Sequence, residues 1–241
     1  MDSLLDDEWQ AEYRAAVGRI GWLAKTSRPD LAYDNLILSM RLGDATVRDM
    51  KQAIKITKKA KCDSTVMRFT ALGSVTEWSL VAYGDAGYKN LPDKTSSCAG
   101  HVTLLTNNKE ELSCVLNWKS KKLRRVVSSS TAAEALSANE ALDDMVYIKH
   151  VLIELLGSTA EKIPLKLVTD SRNLHNSVMN STLVENPRMR TDLAKVKNSL
   201  KDKELSEFTQ VPGKEMLADV LTKKGAPGFE LMKILRTCSL K

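Results

Sequence analysis

The stretch 117–137, NWKSKKLRRVVSSSTAAEALS, constrains this chain more than any other. It reads as the end of a strand, a basic loop, a serine run and a helix start. Residues 117–127 carry five Lys/Arg and no acid. Ser128-Ser129-Ser130-Thr131 offers several N-caps, and Thr131-Ala-Ala-Glu134 has capping-box spacing. The helix is predicted to run to about Leu156. Stepping by four and three residues from Glu134 gives Ala138, Ala141, Met145, Ile148, Leu152 and Leu155, the apolar stripe of one helix face. Glu134 therefore heads a core-facing stripe. An acid there has two readings: it reaches back to the Thr131 amide, or it belongs to a metal or proton site built with other carboxylates.

The chain has 241 residues, of which 43% are hydrophobic, enough to bury a core in one large or two small domains. A net charge of +6 suggests a polyanionic partner. Cys62, Cys98, Cys114 and Cys238 form no CxxC, and three scattered histidines do not make a zinc site. Free buried thiols in a reducing compartment are expected, although Cys98 and Cys114 could face each other across a hairpin. No apolar run reaches the length of a membrane span. The N-terminal MDSLLDDEWQ has acids where a secretory leader has bases, so none is expected.

Helices are predicted over 8–25, 31–42 and 46–61, with Pro29 in the first turn of the second. Bases crowd the end of the third (Lys55, Lys58, Lys59, Lys61), either as a solvated face or as a contact for a nucleic-acid backbone. Residues 64–76 look like a connector. Strands follow over 77–86, 98–106 and 112–118, as an antiparallel meander with a hairpin connection at 107–110. After the long helix come a strand (164–170), a short helix from Ser171, a helix opening at Asn186-Pro187, a strand (204–211) and a last helix (215–223). The order is β-β-β-α-β-α-α-β-α.

Aspartate is depleted in strands, yet Asp85 lies in the first strand, on the face of Val81 and Tyr83. Asp170 ends the fourth strand, where it could also cap the next helix. Asp219 falls between Leu217 and Val220 in the last helix. If the first and fourth strands are neighbours, Asp85 and Asp170 are adjacent and the start of the long helix brings Glu134 over them. Such carboxylates cannot all stay ionised without cations. Hard oxygen ligands favour Mg²⁺ or Mn²⁺, and two such ions are machinery for phosphodiester hydrolysis.

These words resemble a known family. YRAAVGRIGWLAKTSRPDLAY is similar to the last portion of the reverse transcriptase of copia-type retrotransposons, with its R-P-D-[IL]-A-[YF] turn into a helix. DAGYKNLPDKTSSCAGHV, NWKSKKLRRVVSSSTAAEALS, VTDSRNL and VPGKEMLADVLTK, in that order, resemble the ribonuclease H domain of the same Pol polyprotein. The resemblance covers residues 9–230. It implies an α/β, ribonuclease H-like mixed five-stranded sheet with helices on both faces (67–241), preceded by a small all-helical segment (1–66).

It also implies an endonuclease that cuts the RNA strand of an RNA–DNA hybrid. Asp85, Glu134, Asp170 and Asp219 would be both its catalytic acids and the ligands of two Mg²⁺ (or Mn²⁺) ions. Lys119, Lys121, Lys122, Arg124 and Ser171 would grip the substrate, with Arg125 nearby. Asp192 is the competitor of Asp219 and is expected on the surface. The implied partners are the hybrid and an upstream polymerase part of the same polyprotein, with no membrane and no small-molecule cofactor. The implied location is intracellular, in a cytoplasmic virus-like particle or the nucleus. The chain departs from the pattern in two places. The loop VPGKEML lacks the histidine of cellular ribonucleases H, and TAAE keeps only the second acid of E-A-E. The reverse-transcriptase-like part starts late, as in a fragment or a decayed element. The alternatives are a catalytically inactive scaffold or hybrid-binding module, and a nuclease acting on DNA duplexes.

Overall fold

The computed structural model describes residues 2–107, 109, 111–180 and 187–240. Of the expected connections, Asn108, Glu110 and Asn186 lie outside the described residues.

Three helices come first: α1 (Asp7–Thr26), α2 (Ala32–Ser39) and α3 (Val47–Cys62). The starts of the first and third have local causes. Asp6 accepts from the Trp9 amide at the head of α1, and Thr46 with Asp49 forms a capping box at the head of α3. The second helix is shorter than predicted: Leu31 belongs to a separate 3-10 turn, Pro29–Leu31, and the helix ends at Ser39. Tyr13, Val17, Ile20, Leu31, Leu38, Ala53 and Ile56 make a core between the three helices.

The R-P-D turn holds this segment together. Arg28 is 3% exposed. Its guanidinium grips Asp30 with Nε at 2.7 Å and a second nitrogen at 2.9 Å, and it donates to the Asp63 carbonyl at 2.6 Å. Lys59 reaches Asp30 from α3 at 3.0 Å. Burial opposes ionisation of Asp30, but Arg28 and Lys59 outweigh it and hold the carboxyl below its usual range.

The sheet contains β1 (Trp78–Gly87), β2 (Cys98–Asn107), β3 (Ser113–Lys122), β4 (Leu165–Thr169) and β5 (Glu207–Gln210), in the order β3-β2-β1-β4-β5. The first three strands are an antiparallel meander, and β4 and β5 run parallel to β1. This is the mixed five-stranded sheet that the resemblance implied. The third strand runs four residues past its expected end, so Lys119, Lys121 and Lys122 lie on an edge strand and not in a loop. Lysines on an edge discourage pairing with another chain.

Helix α4 (Ser130–Leu156) covers one face. Its Ala138, Ala141, Leu142 and Met145 pack on Leu80, Ala82, Leu165 and Leu167, with α5 (Arg172–Met179) and α6 (Pro187–Lys201) beside them. The predicted stripe holds as far as Leu152, whereas Leu155 is 74% exposed because the helix outruns the sheet. The other face takes α7 (Asp219–Thr222) and α8 (Phe229–Thr237), whose Val220, Leu221, Leu231 and Leu235 meet Val102, Leu104, Val115 and Trp118. The expected helix over 215–223 is only this four-residue turn, preceded by a 3-10 turn at Gly213–Glu215. Helix α8 was not foreseen, since its start at Gly228 carries no side-chain cap.

The helical segment leans on the sheet through the Trp118 indole, which donates to the Ala24 carbonyl at 2.6 Å. All four cysteines are free. Cys98 pairs in register with Lys122 and Cys114 with Leu105, at opposite ends of the hairpin, so they do not face each other. Among the described residues no helix is long and apolar enough to cross a membrane.

Candidate metal centre

Strand register brings the first two acids together. Tyr83 of β1 lies opposite Val168 of parallel β4. Asp85 and Asp170 each lie two residues further on, so they leave the sheet edge side by side and on the same face. Glu134 comes from the second turn of α4. That helix is fixed to the sheet by Ser137, whose hydroxyl donates to the Asp85 carbonyl at 2.7 Å and to the Gly100 carbonyl at 3.1 Å.

The capping-box reading of Glu134 fails. Ser129 is the N-cap, accepting from the Ala132 amide at 3.1 Å, and Thr131 already lies inside the helix. Asp170 is not a cap either, because Ser171 caps α5 by accepting from the Leu174 amide at 3.3 Å. Freed from both duties, the three acids converge: one carboxylate oxygen each of Asp85, Glu134 and Asp170 lies within 4.8 Å of the others.

Asp219 is outside this trio. It opens α7, and the Lys223 ammonium connects it to the site, 2.5 Å from Asp219 and 3.5 Å from Asp85. Asp192 is not the surface residue expected. It is 7% exposed, paired with Arg125 and not among the three clustered acids.

The electrostatics are those of crowded acids. Burial, above all, raises Glu134 to about 9, and the nearby Asp85 and Asp170 add to it. Burial raises Asp85 to about 6, against the pull of Lys223 and of the Thr222 hydroxyl that donates to it. Asp170 is raised by burial too, with Lys223 opposing and Asp219 reinforcing. Glu134 is 8% exposed, and its buried Oε2 has no hydrogen-bond partner among the described residues. A buried orphaned oxygen on a carboxylate that clusters with two more carboxylates fits a hard divalent cation.

The sequence reading missed Thr222 and Lys223 as site residues, although both stand in the LADVLTK word. They reach the site because β2 offers no side chain at Gly100. A Cβ there would lie 2.7 Å from both Leu221 Cβ and Thr222 Cγ2. Asn90 completes the support, donating from Nδ2 to the Thr222 carbonyl at 2.6 Å.

The nominated substrate cations are mostly paired. Lys119 meets Asp144 at 2.5 Å, Lys121 meets Glu140 at 2.7 Å and Lys122 meets Asp93 at 2.9 Å. Arg124 is exposed and has no ion pair among the described residues. These lysines are 38–47% exposed, and such pairs are weak enough to exchange for a phosphate. Ser171 is engaged as the cap of α5. A cleft of about 470 Å³ opens beside the start of α4, lined by Arg125, Val127, Ser128, Ala132 and Asp192 among others.

No family model matches the chain. A putative transposon Ty5-1 protein of Saccharomyces cerevisiae is 29% identical over 131 residues, 54% of this chain and 40% of that protein. The retrovirus-related Pol polyprotein from transposon RE1 of Arabidopsis thaliana is 31% identical over 144 residues, 60% of this chain and 9% of the polyprotein. A protein of Plasmopara viticola named secreted RxLR effector protein 161 is 30% identical over 137 residues, 56% of this chain and 90% of that protein. The chain's relatives thus include Ty/copia-type transposon and retrovirus-related Pol polyproteins.

The chain spans less than half of the yeast protein and about a tenth of the Arabidopsis polyprotein. Among solved structures, LC11 ribonuclease H1 from compost gives a TM-score of 0.44 at 18% identity, over 60% of this chain and 92% of that one. A foamy viral protease–reverse transcriptase in complex with double-stranded DNA gives 0.41 at 12% identity, over 92% of this chain and 42% of that one. The strand order and directions described above carry the fold assignment.

Proposed function

We propose that this chain is an endonuclease hydrolysing the RNA strand of an RNA–DNA hybrid with two divalent cations, acting inside the cell within a reverse-transcription machinery. The observation that carries it is the convergence of Asp85, Glu134 and Asp170 within 4.8 Å, with a buried Glu134 oxygen lacking a partner among the described residues. Asp85, Glu134 and Asp170 would hold one cation, and Asp85 with Asp219 the second. Mg²⁺ or Mn²⁺ bound there would supply the Lewis acidity that activates water and stabilises the leaving oxygen at a phosphodiester.

The chain's own residues do the rest. Glu134, protonated in the metal-free protein, gives up its proton as the site loads. Thr222 holds one Asp85 oxygen and so fixes the carboxylate's rotation. The exposed Arg124, with Lys119, Lys121 and Lys122 on the edge strand, offers positive charge to a phosphate backbone. A hybrid would be recognised by groove shape and 2′-hydroxyls and not by base identity.

The test is a comparison of substrates. The protein is expected to cut the RNA strand of a hybrid in Mg²⁺ or Mn²⁺, to stop on addition of a chelator, and to leave double-stranded RNA and duplex DNA uncut. Binding of a hybrid without turnover in Mn²⁺ would instead make the chain an inactive clamp.

A further inference from the structure

A positive charge already occupies the space between two of the proposed metal ligands. The Lys223 ammonium lies 2.5 Å from Asp219 and 3.5 Å from Asp85. Lys223 is the C-cap of the four-residue turn that Asp219 opens, so one short element and its cap deliver both a ligand and the lysine that neutralises it. The Lys223 side chain is 42% exposed, so its head can leave the site without unfolding anything. The carboxylate of Asp85 cannot leave: it is 1% exposed and held by Thr222.

We propose that Lys223 is the resident cation of the metal-free site, holding Asp85 and Asp219 together until a divalent ion displaces it. This rests on the metal-site reading above and adds to it that loading is an exchange of one cation for another. Two like carboxylates close to a common point repel, and an ammonium between them offsets that repulsion. An ion shared by Asp85 and Asp219 needs the oxygens that Lys223 now contacts. The exchange has a consequence for substrate order. A displaced ammonium on an exposed stem stays within a side chain's length of the acids, where it would be available to a phosphate of a bound nucleic acid. The protein would therefore take up ions more readily with a nucleic acid bound than without one.

The experiment is calorimetric titration of the full chain with Mn²⁺, comparing the parent with Lys223→Gln and Lys223→Arg, alongside thermal unfolding without metal. Lys223→Gln is expected to bind Mn²⁺ about tenfold more tightly, equivalent to about 1.4 kcal/mol of lost competition, and to unfold at a lower temperature without metal. Lys223→Arg, which keeps the charge, is expected to bind as weakly as the parent. If Lys223→Gln and the parent bind Mn²⁺ with equal affinity, the exchange is overturned while the metal site stands. If neither protein binds Mn²⁺, the metal site is overturned and the exchange with it.

Discussion

Asp85→Asn is expected to abolish divalent-dependent cleavage of a hybrid, by about 1,000-fold or more, while leaving the chain folded. The substitution keeps the size of the side chain and can keep the contact to Thr222, but it cannot bring the negative charge that two cations would share. Its cost to folding is small because the native site already resists ionisation: burial raises Asp85 and raises Glu134 further. Glu134→Gln extends the prediction to stability. The folded chain keeps the Glu134 proton up to about pH 9, whereas the unfolded chain releases it near its ordinary 4.5. The native state therefore binds more protons than the unfolded state across that window, and metal-free stability falls as pH rises through it. At about pH 7 the cost is on the order of 3 kcal/mol. Glu134→Gln should flatten this pH dependence, raise the metal-free Tm at alkaline pH and lose activity like Asp85→Asn, a trade of stability for function. Cleavage by Asp85→Asn at the parent's rate, or an unchanged pH profile in Glu134→Gln, would contradict the account.

The largest purely structural effect is expected at Arg28. Arg28→Met strands Asp30, whose side chain is 8% exposed, and removes the donor to the Asp63 carbonyl. Breaking a buried pair from one side costs about 3–5 kcal/mol. Lys59 remains 3.0 Å from Asp30, so the loss should sit at the low end, about 3 kcal/mol. For a chain of this length that is a fall in Tm of roughly 6–12 °C. The double change Arg28→Met with Asp30→Leu should recover much of it, because no buried charge is then left alone. Equal Tm values for the single variant and the parent in thermal unfolding would remove the R-P-D turn from its structural role.

The order of elements and the meander were legible in the sequence because strand alternation and short connections are local, whereas the adjacency of Asp85 and Asp170 followed only on the condition that the first and fourth strands, paired as Leu80 with Leu165, are neighbours. Glu134 was legible as the head of a buried stripe, but its freedom from capping was not: four consecutive hydroxyl residues offered equivalent caps, and packing of α4 on the sheet chose Ser129. Thr222 and Lys223 were invisible as functional groups, since their approach depends on the missing side chain at Gly100, a contact 122 positions away in the chain. The helix expected over 215–223 broke into two short turns because the Pro212 to Met216 segment closes on itself through 3-10 hydrogen bonds. The lysines read as a free basic loop are strand residues with acidic partners, because α4 places Glu140 and Asp144 beside β3.

The most direct test is the position of Mn²⁺ located by anomalous scattering in crystals of the parent protein. The account predicts an ion bounded by the carboxylates of Asp85, Glu134 and Asp170, with the formerly orphaned Glu134 Oε2 among its ligands. An ordered Mn²⁺ elsewhere on the molecule, with these three acids still uncoordinated, would contradict it.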